Sequence, residues 1–502
     1  MLVLIIGLDI GTTSVKGMLV NENGEIVFQS SEKISLISPK PGWAEEDPMQ
    51  WWNATEKVLF KLSEFAHEKN EEIKAIATSG QMHSLVLVDS KGNVLTNSIL
   101  WCDQRTYKEC NEITLKLGGK KEVISVFGNS ILPGFTAPKI LWIKRNFPDI
   151  LQKTYKFMLP KDFINFKLTG QIFTEPSDAS GTALYDIKKG FWAIDKVKEL
   201  GFNPGIFPEI IPSNGLVGRL KDDIANKLGL SPDVKVISGG ADNACAALGI
   251  GVVSEGQAMV SLGTSGTVFA PVQGGEPDAD GKLHFFEHVV SGEKYYMGVM
   301  LSATHTLNWF NEITSEKDLI KINECIENIP IGANGVVVLP YLNGERTPHN
   351  DPYARAVFFG MSSSHNKWDI YRAIFEGVAY GIKDSFNLIE KFGIEINDVR
   401  ITGGGSKSKI WRQILANVIG VNVKTMMTNE GAAYGAAMLA YSGLNNILVE
   451  QIAEKWIKTN EIMNVNNLHA MVYNKYWKIY QKLYKKNREL FIEINKIMEE
   501  EN

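Results

Sequence analysis

Short, charge-free apolar runs alternate along this chain with longer segments whose apolar residues recur every three or four positions, the pattern of an α/β protein. Leu2–Leu8 reads as a buried strand and Val15–Val20 as a second, so Asp9–Ser14 must turn between them. The same reading predicts a strand at Ile26–Ser30, a Trp-rich helix around Pro48–His67, and strands at Ile73–Thr78 and Leu85–Asp89. A less regular stretch follows, with "LPKDFINFKLTG" and "TEPSDASGTALYD" expected as loops and short helices over a cleft. Val234–Ser238 then runs as a strand into "GGADNACAALGIG".

The second half restarts the opening pattern. "GQAMVSLGTSGTVFAP" is again strand, polar turn and strand, with Gly263-Thr264-Ser265-Gly266 standing where Gly11-Thr12-Thr13-Ser14 stood, so the chain reads as a duplication. A strand at Val336–Leu339, an amphipathic helix around Trp368–Phe386, a strand at Asp398–Thr402 ending in three glycines, and a small-residue helix at Glu430–Tyr441 complete the repeat. From Asn467 the tail is one long helix that should dock through Tyr476, Tyr480, Leu483, Leu490, Ile494 and Ile497.

Bulk properties narrow the function. A chain of 502 residues outgrows a single core, so two domains of about 230 to 250 residues, or three smaller ones, are expected. A formal net charge of -5 argues against nucleic acid or an anionic membrane as main partner and favours small-molecule chemistry. Cys102, Cys110, Cys245 and Cys325 lie far apart with no CxxC pair, which suits packing roles in a reducing cytosol. With no basic leader and no run of 18 apolar residues, a cytoplasmic protein is expected.

Four glycine-rich turns follow apolar strands: "DIGTTS", "GGADNA", "LGTSG" and "GGGSKS". None matches GxxxxGK[ST], or GxGxxG with a later acid, leaving a phosphate cradle made of two hairpins. In the first, Gly11 admits close backbone approach, the hydroxyls of Thr12, Thr13 and Ser14 can donate to anionic oxygens, and Asp9 can hold a cation or its water; an ordinary polar hairpin fits these residues equally. Asp242 follows a buried strand and two glycines and precedes a helix of small residues, so it is either a proton acceptor facing a cleft or a helix cap.

Nine segments in order, "DIGTTSVKG", "GQMHSLVLVD", "ILWCDQRT", "GGADNACAALGIG", "SLGTSGTV", "MGVMLSA", "LPYLNGERTPHNDPYARAVFFG", "GGGSKSKIWRQILANV" and "EGAAYGAAMLA", resemble the FGGY family of carbohydrate kinases. The resemblance implies an α/β fold of two RNase H-like, actin-like ATPase domains, 1–245 binding sugar and 246–445 binding nucleotide, with a 446–502 helical tail packed on the body. ATP would lie in the interdomain cleft. Asp9, Gly11, Thr12, Thr13 and Ser14 would face its phosphates and Mg²⁺, Gly263, Thr264 and Ser265 would approach from the other domain, and Gly403, Gly404, Gly405 and Lys407 would line the adenosine site.

By the same resemblance Asp242 is the catalytic base and, with Asp9, a Mg²⁺ ligand directly or through water; Gln81, Met82, His83, Trp101, Asp103 and Asn243 join it around the sugar. Arg105 is the expected ion-pair partner of Asp103. Met82-His83 match the turn with which one branch of the family contacts D-xylulose, implying transfer of the γ-phosphoryl group to its terminal hydroxyl. Ser84 departs from the glycine common in that branch and leaves ribulose or gluconate as alternative polyols; glycerol-specific members carry Arg-Glu at 82–83. A non-enzymatic actin-like nucleotide switch would need neither Met82-His83 nor Asp242. The expected partners are sugar and ATP alone, with a homodimer left open. His284 and His288 lie in an expected strand with no third ligand nearby, so zinc is not expected, and the 344–349 run "GERTPH" reads as a structured loop near the cleft without an assigned role.

Overall fold

The computed structural model describes residues 3–428 and 430–500; Leu2, where the sequence reading begins the first strand, lies outside the described residues. Strands β1 (Val3–Ile10), β2 (Ser14–Asn21), β3 (Ile26–Lys33), β4 (Glu72–Gly80), β5 (Leu216–Arg219) and β6 (Lys235–Ala241) form one sheet in the order β5-β6-β4-β1-β2-β3. Strands β7 (Gln257–Leu262), β8 (Gly266–Gln273), β9 (His284–Glu287), β10 (Glu293–Met300), β11 (Asp398–Thr402), β12 (Val423–Met426) and β13 (Thr459–Met463) form a second in the order β9-β10-β8-β7-β11-β12-β13. In each sheet a hairpin and a third antiparallel strand flank two parallel strands, so β10-β8-β7-β11-β12 repeats β3-β2-β1-β4-β6 strand for strand. The duplication read from two hairpins is thus a duplication of whole sheets.

Helices supply the crossovers that parallel strands require. In the first half these are α1 (Pro48–Glu68), α2 (Pro160–Thr169) and α3 (Pro176–Ser180), and α4 (Asp242–Gly249) follows β6. The start of α1 shows how local sequence sets an end: the Asp47 side chain accepts Met49 N–H at 2.9 Å, and Pro48 takes the first turn, where its missing N–H costs nothing. In the second half come α5 (Thr304–Thr314), α6 (Leu319–Glu327), α7 (Lys367–Glu390), α8 (Lys409–Ile419), α9 (Ala432–Asn445) and α10 (Asn467–Glu500).

Small residues of α9 have a packing reason. This helix lies on β1, β4 and β6 of the first sheet and crosses α4, so the chain returns from the second half to the first. A Cβ on Gly435 would stand 1.9 Å from the Cys245 carbonyl oxygen, and one on Gly7 would stand 1.9 Å from that of Ala433. Only glycine fits where backbones approach so closely.

Several strands run past their expected ends. β1 continues through Asp9 and Ile10 because these residues pair with Lys16 and Val15 on one side and with Ser79 and Gly80 on the other, which narrows the first turn to Gly11–Thr13. The tail also differs. α10 docks through Tyr473, Tyr480, Leu483, Tyr484 and Phe491, with Tyr484 Oη donating to Asp351 at 2.8 Å and Trp477 and Gln481 donating to Asp384 at 2.9 Å. Leu490, Ile494 and Ile497 are instead more than half exposed, because α7 and the 341–351 segment present their partners to the tyrosine-bearing side. Among the described residues no helix is long and apolar enough to cross a membrane.

Candidate active site

Three parallel strands of the first sheet end level with one another. Asp9 of β1 pairs with Ser79 of β4, which pairs with Gly240 of β6; one step on, Ile10, Gly80 and Ala241 stand in a row. The residues that follow each strand, from Gln81 and from Asp242, therefore emerge side by side with Asp9, at the carboxyl edge where ligands of such sheets collect.

Asp242 opens α4 but does not occupy its cap position, which belongs to Ala241. Its Oδ1 accepts Asn243 N–H at 2.7 Å and Asn243 Nδ2 at 3.0 Å. Burial, and then the charge of Asp9, push its pKa up to about 7 against the opposing hydrogen bonds from Asn243. Burial likewise raises Asp9 to about 6 against the pull of Lys16, and Asp9 Oδ1 is buried with no hydrogen-bond partner among the described residues. Two repelling carboxylates with an unfilled hard-oxygen donor fit a divalent cation. Among the described residues no group of three His, Cys, Asp or Glu side chains is arranged to hold a metal.

A cavity of about 350 Å³ opens in front of Asp242. Met82, His83, Trp101 and Asn243 wall it from the first half of the chain, and Ser265, His284, Phe286 and Arg346 from the second. His83 has φ of +70° and is the middle of a tight turn closed by Ser84 N–H to the Met82 carbonyl at 2.9 Å. Its Nδ1 lies 2.6 Å from the Gly181 carbonyl, which can only accept, so Nδ1 carries the proton and Nε2 is left as an acceptor. Burial, with the charges of Lys139 and Arg346, depresses its pKa to about 3 and keeps the ring neutral. Met82 Sδ stands 3.9 Å from Asn243 Nδ2, joining the two predicted segments.

The other predicted residues divide. Trp101 lines the cavity and donates from Nε1 to Thr12 Oγ1 at 3.1 Å, tying this wall to the first glycine turn. Gln81 and Asp103 lie behind the wall, a correction to their expected sugar contacts. Gln81 is buried with its amide spent on Glu46 at 3.0 Å and Ser84 at 3.1 Å. Asp103 is fully buried and accepts from Ala44 N at 2.6 Å, from Arg105 Nη2 at 2.7 Å and from Arg105 Nε at 2.9 Å. Ser84 is buried too, holding Gln81 and the Trp101 backbone N–H at 3.2 Å, so the departure at this position lies behind the cavity wall.

Each hairpin turn is closed by its leading glycine, Gly11 N–H reaching the Ser14 carbonyl three residues on at 3.1 Å and Gly263 N–H the Ser265 carbonyl two residues on at 3.0 Å. The second turn is pinned by the head of α5, where Ala303 N–H reaches the Thr264 carbonyl at 2.9 Å and Thr304 Oγ1 the Gly263 carbonyl at 2.8 Å. Gly403 and Gly405 pack against Leu262 at the root of this turn, and Gly404 is exposed. Thr13 and Ser14 complete the first hairpin's rim. Lys407 is exposed and lines a separate cavity of about 800 Å³ between α6, α8 and α10.

Sequence reasoning did not find the support behind Asp242. Ala241 N–H donates to Ser177 Oγ at 2.9 Å, and Ser177 Oγ donates to Glu175 at 2.8 Å, as does Ser213 at 2.6 Å. Lys161, fully buried, neutralises this cluster from 3.7 Å to Glu175 and 3.6 Å to Asp178. Ser177 lies within a run read as loop and short helix; nothing local marks it as facing β6.

A two-domain actin-like α/β fold, with a carboxylate pair at the sheet edge and glycine turns converging from both halves, defines a phosphotransferase cleft. The chain belongs to the FGGY family of carbohydrate kinases, whose N-terminal domain model matches residues 4–249 and whose C-terminal domain model matches residues 258–444. Members are ATP-dependent and work with a divalent metal. Among curated relatives, the xylulose kinase of Staphylococcus xylosus is 38% identical over 485 residues, covering 96% of this chain and 99% of that one. Among solved structures, a xyloylose kinase from Brucella ovis matches with a TM-score of 0.92 at 32% identity, covering 97% of this chain and 100% of the other. A gluconate kinase from Lactobacillus acidophilus matches with a TM-score of 0.91 at 27% identity, covering 97% and 98%.

Proposed function

We propose that this protein is an ATP-dependent kinase of D-xylulose, transferring the γ-phosphoryl group to the terminal hydroxyl to give xylulose 5-phosphate. The observation that carries the reading is Asp242, set at the edge of a cavity shared by Met82 and His83 on one side and Ser265 on the other, with Asp9 close enough to raise its pKa. Phosphoryl transfer passes through a loose transition state, so the protein's tasks are to align the alcohol, neutralise charge and take the proton. Asp242 Oδ2 accepts the hydroxyl proton, while Asn243 holds Oδ1 and fixes the carboxylate. His83 Nε2 accepts from a sugar hydroxyl, and Met82 packs the carbon chain.

Asp9 and Asp242 would hold Mg²⁺, which supplies charge neutralisation and orientation of the phosphates when bound. The turns Gly11–Ser14 and Gly263–Ser265 flank the phosphates in this reading, and Gly403, Gly404, Gly405 and Lys407 approach the adenosine. Walls drawn from both halves exclude water from the transfer. The domain limits that go with it are 1–245, 246–445 and 446–502, in a cytoplasmic enzyme.

A coupled ADP-release assay across xylulose, ribulose and gluconate tests the substrate. Preferential turnover of xylulose is expected; equal or greater kcat/KM on gluconate or ribulose overturns the assignment.

A further inference from the structure

The "GERTPH" segment is left without a task by the nucleotide turns and by Asp242, yet the structure builds it with care. Glu345 Oε1 accepts Leu301 N–H at 2.9 Å and Arg346 N–H at 2.8 Å. Thr347 N–H donates to the Val299 carbonyl at 2.9 Å, and Thr347 Oγ1 accepts Val299 N–H at 3.0 Å while donating to the Lys282 carbonyl at 2.8 Å. The backbone on both sides of Arg346 is therefore clamped to β10 and its continuation, and the side chain is presented to the 350 Å³ cavity.

Arg346 makes no ion pair among the described residues, and its hydrogen bonding there is one long contact, Nη1 to His284 Nε2 at 3.5 Å. A guanidinium carries five donors, and leaving them unfilled away from bulk water is costly. Glu345 acts on the guanidinium through its charge and makes no hydrogen bond with it among the described residues, and the nearby histidines add little. His284 Nδ1 lies 2.9 Å from Asn129 Oδ1, an oxygen whose identity is set because Asn129 Nδ2 donates to the Phe285 carbonyl at 2.8 Å and Oδ1 accepts Phe285 N–H at 3.2 Å. His284 thus carries its proton on Nδ1, like His83, and both rings are neutral beside the positive charge of Arg346. The rings are drawn together by Phe286, whose centroid lies 6.0 Å from that of His83 and 5.5 Å from that of His284.

The cavity wall consequently offers His83 Nε2 as an acceptor without a partner among the described residues, on the same wall as the donors of Arg346. We infer that Arg346 is a further specificity-determining residue, which donates to the carbonyl oxygen of a ketose while His83 accepts from the adjacent hydroxyl, so that the pair reads the hydroxyketone end of the substrate. This rests on the ketose-kinase reading above. A donor from the second half of the chain thereby completes a sugar site begun by the first, and recognition requires both.

Steady-state kinetics of the wild-type enzyme, Arg346→Met and Arg346→Lys, with xylulose and ATP each varied, test the inference. Arg346→Met should raise KM for xylulose about tenfold or more while KM for ATP stays within about twofold, and Arg346→Lys should recover part of the loss. An unchanged KM for xylulose, or a rise confined to KM for ATP, overturns it. A second measurement needs no variant: calorimetric binding to wild-type enzyme should be about tenfold weaker for xylitol, which lacks the carbonyl, than for xylulose, and equal affinities overturn the assignment. If the wild-type enzyme prefers another polyol, the substrate reading fails, while the KM shift in Arg346→Met on that polyol still decides the role of Arg346.

Discussion

Asp9 and Asp242 bring two carboxylates from the ends of β1 and β6 into one small space, and the charge of Asp9 helps to hold Asp242 near pKa 7. Both native pKa values lie above the ordinary value of 3.8, so between about pH 4 and about pH 7 the folded protein holds more protons here than the unfolded chain. Their contribution to stability is therefore largest in acid and is lost as pH rises through that window. In metal-free buffer Asp242→Asn should melt a few degrees above wild type at pH 8, with the gap narrowing as pH falls toward about 4 and on addition of Mg²⁺ and ATP. Differential scanning calorimetry with and without EDTA checks this, and a gap independent of pH refutes it.

Removing the proton acceptor should spare binding. Asp242→Ala is expected to lose turnover by about a thousandfold or more while calorimetric affinity for the sugar changes by less than about threefold. Near-normal turnover would remove Asp242 from the mechanism.

His83 acts as a fixed neutral acceptor. His83→Asn should raise KM for the sugar about tenfold with a smaller change in kcat. In the wild-type enzyme KM for the sugar should show no titration of this ring between about pH 5 and 8, because its pKa lies near 3. A histidine limb in that range would contradict the depression of its pKa by burial.

Ser177 holds the residue before Asp242. Ser177→Ala leaves the buried Ala241 N–H unpaired and loosens the Asp242 turn, so kcat should fall about tenfold while KM for sugar and ATP hold steady. Parallel losses in both KM values would indicate general unfolding of the cleft, to be checked by circular dichroism.

Gly435→Ala drives a methyl group against the Cys245 carbonyl oxygen where α9 crosses α4. The expected cost is about 3 kcal/mol, read from urea denaturation. An unchanged midpoint would mean that α9 does not cross α4 at this spacing.

Strands, glycine turns, the repeated hairpin and the candidacy of Asp242 were legible in the residues themselves, since strand periodicity, turn chemistry and small-residue runs are local properties. Asp398–Thr402 and the start of the tail helix at Asn467 needed no neighbours to be found. Only the folded chain decided which polar residues face the cavity: Gln81, Asp103 and Met82 share one sequence neighbourhood, yet two lie behind the wall and one lines it, because Glu46, Ala44 and Arg105 claim the first two. Arg346, His284 and Ser177 gain meaning through partners remote in sequence, and the pKa of Asp242 depends on its burial and on a carboxylate two strands away along the same sheet edge. Parallel register and interdomain contact set those distances, and neither is written in any short stretch of the chain.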